Sequence, residues 1–81
     1  MWYVYILECR DKTLYVGVTK NLTERLERHN KGKASKYTRG RTPVKMIHTE
    51  EYSDKTSALK REHELKGWSR SKKLSLVATN Q

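Results

Sequence analysis

The chain has 81 residues, with 18 Lys and Arg against nine Asp and Glu, giving a formal net charge of +9 at pH 7. That length points to one small domain, 1–81, near the size at which a single core is only marginally stable. One cysteine, Cys9, excludes an internal disulfide and fits a reducing, cytoplasmic setting, while no apolar run nears the roughly 20 residues of a membrane span.

Residues 2–7 are too short for a signal peptide and lead straight into a charged turn. Zinc is not expected, because His29, His48, His63 and Cys9 lack any ligand spacing. So large a basic excess on a small chain favours a polyanion partner, most often nucleic acid. A membrane surface is a poorer fit, since neither long candidate helix pairs a basic face with large exposed apolar residues.

Two β-type runs open the chain, 2–7 and 14–18, joined by the turn-rich segment 9–13 with Asp11 and Lys12 at its tip. In the first run both alternating sets are apolar: Trp2, Val4 and Ile6, then Tyr3, Tyr5 and Leu7. A strand covered on both faces belongs at the centre of its sheet. In the second run Leu14, Val16 and Val18 alternate with Tyr15, Gly17 and Thr19. One sheet face therefore carries three phenols, Tyr3, Tyr5 and Tyr15, beside a glycine. A close backbone approach and a tight strand bend both explain that glycine.

The period then becomes helical. Asn21 suits a cap, with Glu24 as its capping-box partner, and Leu22, Leu26 and His29 share one stripe that Gly32 ends. At about 100° per residue Arg25 lies roughly 60° from Leu22, at the stripe's border, placed either to reach over the sheet or to snorkel. Segment 31–45 is a loop by composition, with six basic residues (Lys31, Lys33, Lys36, Arg39, Arg41, Lys45) around Tyr37. It can follow a phosphate backbone or stay solvated. Pro43 introduces a third strand, 44–52, where Val44, Met46 and His48 alternate with Lys45, Ile47 and Thr49.

Ser53 and Asp54 offer caps for a second helix running to Gly67. Ala58 and Leu65 define its apolar stripe, Leu59 flanks it, and Glu62 falls between them, while Glu64 points to solvent. A carboxylate on a buried stripe needs a cation, a metal or several donors. Pairing with Arg61 or a lysine is the purely structural option. In the tail, Ser69 suits a cap, Leu74 and Val77 form a short apolar side, and Trp68 closes over the core. The expected class is α+β: a three-stranded antiparallel sheet flanked by helices, order β-β-α-β-α-α.

These residues together resemble the GIY-YIG nuclease family over nearly the whole chain. Tyr3, Val4 and Tyr5 stand at its first motif and Tyr15, Val16 and Gly17 at its second; Arg25 stands at its arginine and Glu62 at its late glutamate. Segments 31–41 and 66–70 further resemble the small stand-alone bacterial branch. One departure is Tyr3, where the first motif has glycine; it weakens analogy to the larger homing and repair nucleases.

The resemblance implies the GIY-YIG fold and metal-dependent hydrolysis of a phosphodiester. Mg²⁺ or Mn²⁺ would be held by Glu62 and by substrate phosphate oxygens, with waters completing the shell. Arg25 would clamp a phosphate oxygen, and Tyr15, alone or with Tyr5, would orient or deprotonate the attacking water. Lys20 and His29 would share proton transfer or phosphate contact, or else be a surface lysine and a helix-end histidine. Lys20, Lys33, Lys36, Tyr37, Arg39, Arg41 and Arg70 are the expected nucleic-acid contacts. DNA is the expected substrate, with RNA left open. No separate recognition element exists, so cleavage should show little sequence specificity, with structure-selective work in repair or recombination as one setting. A non-catalytic binding module of the same fold is the alternative, and a subunit recruited by another protein is a third arrangement.

Overall fold

The computed structural model describes residues 1–79. Strand β1 (Trp2–Glu8) is the middle of a three-stranded sheet, with β2 (Leu14–Thr19) and β3 (Lys45–Tyr52) antiparallel on either side. The apolar double face of β1 explains its place: Val4, Tyr5, Ile6 and Leu7 are each 0% exposed. Residues 80–81, the end of the expected domain, lie outside the described residues.

One face of the sheet gathers Val4, Ile6 and Val16 with Ala58 and Leu65 of α3 (Lys55–Lys66) and Val77 of α4 (Arg70–Thr79). The other gathers Tyr5, Leu7, Cys9 and Val44, with Leu22 and Leu26 of α1 (Leu22–Asn30) packed against them. The order β-β-α-β-α-α is as expected for the longer elements. A four-residue helix, α2 (Lys36–Arg39), is added inside the segment expected to be loop throughout.

Local chemistry sets the boundaries. At the hairpin tip Asp11 Oδ1 accepts from the Thr13 N–H at 3.1 Å, and Lys12 takes a φ of 71°. Asn21 caps α1 by accepting from the Glu24 N–H at 3.0 Å. The reciprocal half of the expected capping box is taken by Thr19, whose Oγ1 accepts the Asn21 N–H at 3.1 Å. Asp54 caps α3 through the Ser57 N–H at 2.8 Å, and Ser69 accepts from the Lys72 N–H at 3.2 Å to open α4. In the tail it is Leu76 that joins Val77 on the core.

The third strand departs from strict alternation. Ile6 pairs with His48 but Leu7 with Met46, so Ile47 is an extra residue in a bulge. Val44 and Met46 therefore stay with Tyr5 and Leu7, while His48, Glu50 and Tyr52 face the α3 side. His48 thus stands on the face opposite to the one alternation predicts. Glu50 accepts from Tyr52 Oη at 2.8 Å and from Arg61 Nε at 2.9 Å, and meets His48 Nε2 at 2.8 Å. Burial raises the Glu50 carboxyl, but the hydrogen bonds from Arg61, His48 and Tyr52 overcome it and hold its pKa down at about 2. Arg61 also pairs with Glu64, so its guanidinium ties α3 to β3 one residue before Glu62.

Candidate active site

The site is built around the Tyr5 phenol. Tyr5 pairs across the strands with Gly17, and its ring lies where a side chain at position 17 would stand. A Cβ placed there would come within 2.5 Å of Tyr5 Cζ. Close packing over a glycine, rather than a bend, is the reason for Gly17. The phenol hydroxyl meets His29 Nε2 at 2.9 Å, and the other ring nitrogen, Nδ1, meets Thr38 Oγ1 at 2.8 Å. His29 and Thr38 are 1% and 0% exposed, so these polar atoms depend on one another.

Tyr15 closes the other side. Its ring packs edge-on to His29 at 5.2 Å and tilts against Tyr5 at 6.4 Å. Tyr37 stacks on Tyr15 at 5.9 Å, with the Arg41 guanidinium 4.2 Å from the Tyr37 ring centre. Arg41 is held in turn by Asp11 at 3.0 Å and by the Tyr37 carbonyl at 2.6 Å. Tyr37 and Arg41 thus hold the 36–41 segment over Tyr15.

Arg25 and Glu62 reach the same phenol electrostatically. Burial pushes Tyr5 up to about 12, and Tyr15 and Glu62 add to the rise, while the nearby Arg25 guanidinium pulls the other way. Burial likewise pushes His29 down to about 4, with Arg25 and Arg28 adding their charge. At neutral pH the pair is thus a protonated phenol against a neutral imidazole.

Glu62 is the inward carboxylate of α3, 20% exposed against 55% for Glu64. Its ionic partner is Lys66 Nζ, at 3.6 Å, and Arg61 turns away to Glu50. Among the described residues no group of three His, Cys, Asp or Glu side chains could hold a metal ion. A lone carboxylate without a strong internal partner still suits a hard cation that keeps several waters and takes its other ligands from substrate phosphate.

The remaining basic candidates are dispersed. Lys20 Nζ lies 5.2 Å from the Trp2 ring, with Lys55 Nζ at 5.3 Å from the same ring. Lys33, Lys36 and Arg39 are exposed. Arg70 Nε donates to the Lys12 carbonyl at 3.1 Å, tying α4 to the hairpin tip. Of the expected site residues, the structure brings Tyr5, Tyr15 and His29 into contact, with Arg25 and Glu62 within electrostatic reach. Thr38 escaped the sequence reading; a threonine two residues before a glycine in a basic loop carries no visible signal of burial.

Comparison with known proteins identifies the family. Residues 1–75 match the family model of the GIY-YIG catalytic domain. A UPF0213 protein of Natronomonas pharaonis is 54% identical over 76 residues, covering 94% of this chain and 89% of the relative. A UPF0213 protein of Staphylococcus aureus is 47% identical over 75 residues, covering 93% and 92%. The solution NMR structure of a Bacillus halodurans UPF0213 protein superposes with a TM-score of 0.62 at 44% identity, covering 98% of this chain and 85% of that one. A protein of E. faecalis, also solved by NMR, gives 0.64 at 39% identity, covering 95% and 82%. No helix among the described residues is long and apolar enough to cross a membrane. The phenol pair, the neutral imidazole and the matched span lead to one assignment: this chain belongs to the GIY-YIG family, a nuclease-type family, among its UPF0213 members.

Proposed function

We propose that this chain is a metal-dependent endonuclease that hydrolyses DNA phosphodiester bonds with little sequence specificity. The observation that carries the reading is the company kept by the buried Tyr5 hydroxyl: a neutral imidazole at 2.9 Å, a second phenol, a guanidinium and an inward carboxylate. Simple phosphate binding has no use for a neutral base or for a carboxylate beside the anion.

Arg25 would bind a non-bridging phosphate oxygen and stabilise the charge that grows on it. Tyr5 and Tyr15 would orient the attacking water, with Tyr5 passing its own proton to His29 Nε2 as it accepts one from the water. His29 is a weak base in the free protein, and the arriving phosphate charge offsets Arg25 and Arg28, two cations that depress it. Glu62 would hold Mg²⁺ or Mn²⁺ together with substrate oxygens. Such an ion neutralises charge on the leaving oxygen.

The three long helices each bury one side, through His29 in α1, Ala58 and Leu65 in α3, and Val77 in α4. None is a separate reading head for a groove, which favours recognition of DNA shape, such as branches met in repair, over recognition of sequence. The exposed Lys33, Lys36 and Arg39 would supply backbone contacts.

The test is cleavage of single-stranded, duplex, flapped and four-way DNA, and of matched RNA, with Mg²⁺, with Mn²⁺ and with EDTA. Metal-dependent cutting that Glu62→Ala abolishes, with DNA affinity kept, supports the reading. Binding without cutting on every substrate refutes it in favour of a non-catalytic module.

A further inference from the structure

We infer that Thr38 is a positioning residue that fixes His29 in its Nδ1–H form, and so makes Nε2 the nitrogen that faces Tyr5 as a base. The role of that base rests on the nuclease reading; the tautomer does not.

The assignment follows from counting hydrogens. A threonine hydroxyl has one. Thr38 Oγ1 donates its hydrogen to the Ser35 carbonyl at 3.3 Å. Only lone pairs remain to meet His29 Nδ1 at 2.8 Å, so Nδ1 must donate. A neutral imidazole has one N–H, which leaves Nε2 with a lone pair, and Tyr5 must donate across the 2.9 Å contact. Arg25, the cation beside Tyr5, offers donors only and so gives the Tyr5 hydrogen no competing acceptor.

This chain of donors explains the short helix inside a basic loop. Ser35 caps α2, accepting from the Tyr37 N–H at 3.1 Å, and so sets the turn that presents Thr38. Tyr37 and Arg41 anchor the same turn from outside, against Tyr15 and Asp11. The Nδ1–H to Thr38 bond also survives protonation of Nε2, since Nδ1 donates in both states. Thr38 can thus steady the ring before and after it receives a proton.

Thr38→Val keeps the shape and removes the hydroxyl, and Thr38→Ser keeps the hydroxyl. Long-range ¹H–¹⁵N spectra of the metal-free, DNA-free protein at pH 7 report the His29 tautomer directly. Wild type and Thr38→Ser should show Nδ1–H with an unprotonated Nε2; Thr38→Val should lose that single form. An Nε2–H tautomer in wild type overturns the inference, whether or not the valine variant folds, and so does an unchanged spectrum in Thr38→Val. In cleavage assays Thr38→Val should lower kcat by about 10- to 100-fold, the usual loss for a removed orienting partner, with KM held and Thr38→Ser restoring most of the rate. Equal kcat in wild type and Thr38→Val refutes the positioning role. A wild type that never cuts refutes the nuclease reading instead, while its Nδ1–H signal would still support the tautomer assignment.

Discussion

Gly17→Ala is the sharpest perturbation of this site, because it adds one methyl where the Tyr5 ring already stands. The new Cβ would lie 2.5 Å from Cζ and 3.0 Å from Cε1, against an ordinary carbon contact of about 3.5–4.0 Å. The ring tip must retreat by about 1 Å. Tyr5 is 0% exposed, and its hydroxyl is already 2.9 Å from His29, so a shift of that size breaks the hydrogen bond or presses into the imidazole. Overpacking costs about 1–3 kcal/mol. A buried ring nitrogen left without its donor costs about 1–3 more. Loss of the glycine's extra backbone entropy returns about 0.5–1. The net is about 3 kcal/mol of destabilisation. Urea unfolding followed by Trp2 and Trp68 fluorescence should show the midpoint falling by about 2–3 M, for a slope on the order of 1 kcal/mol/M. In a Tyr5→Leu background the same change should cost under about 1 kcal/mol, because nothing then occupies the methyl's place. A Gly17→Ala protein as stable as its parent, with unaltered His29 resonances, would refute the close packing of Tyr5 over Gly17.

Glu62→Gln should abolish cleavage with little change in stability, since its loose 3.6 Å pairing with the exposed Lys66 contributes under about 1 kcal/mol; equal loss of cleavage in Glu64→Gln would remove Glu62 from its special place. Stability should fall as pH drops from about 6.5 toward 4, because unfolded His29 takes up a proton near 6.5 while the folded group resists to about 4. The drop is about 3 kcal/mol for 2.5 pH units, and flat urea midpoints between pH 7 and 4.5 would contradict it. Lys36→Ala with Arg39→Ala should weaken DNA binding and reduce its log–log salt slope by about 2, at constant stability. Arg41→Ala, by contrast, should lower the melting temperature, since it removes the partner of Asp11 and of the Tyr37 ring; a change in salt slope alone would count against that.

The central strand, the two long helices and the phenol face were legible because each rests on local periodicity. An apolar residue on both faces of β1 has one low-energy place, the middle of a sheet. Glu62 was legible for a similar reason, since helical geometry puts it about 40° from Ala58, on the edge of the buried stripe toward Leu59, whatever the partner layer. The bulge at Ile47 was not, because a skipped pairing depends on the neighbouring strand rather than on the residues that bulge. Thr38 was hidden for a related reason: its burial is created by His29, nine positions earlier, which supplies the donor that makes a sunken hydroxyl tolerable. The fate of Arg41 also turned on a residue 30 positions away, Asp11, which no reading of loop composition would choose. Periodicity thus determined by itself the class of fold, and charge pointed to a polyanion. Which hydrogen each polar atom gives or receives was decided only once distant segments met in space, because a buried donor or acceptor takes its role from what lies within about 3 Å of it.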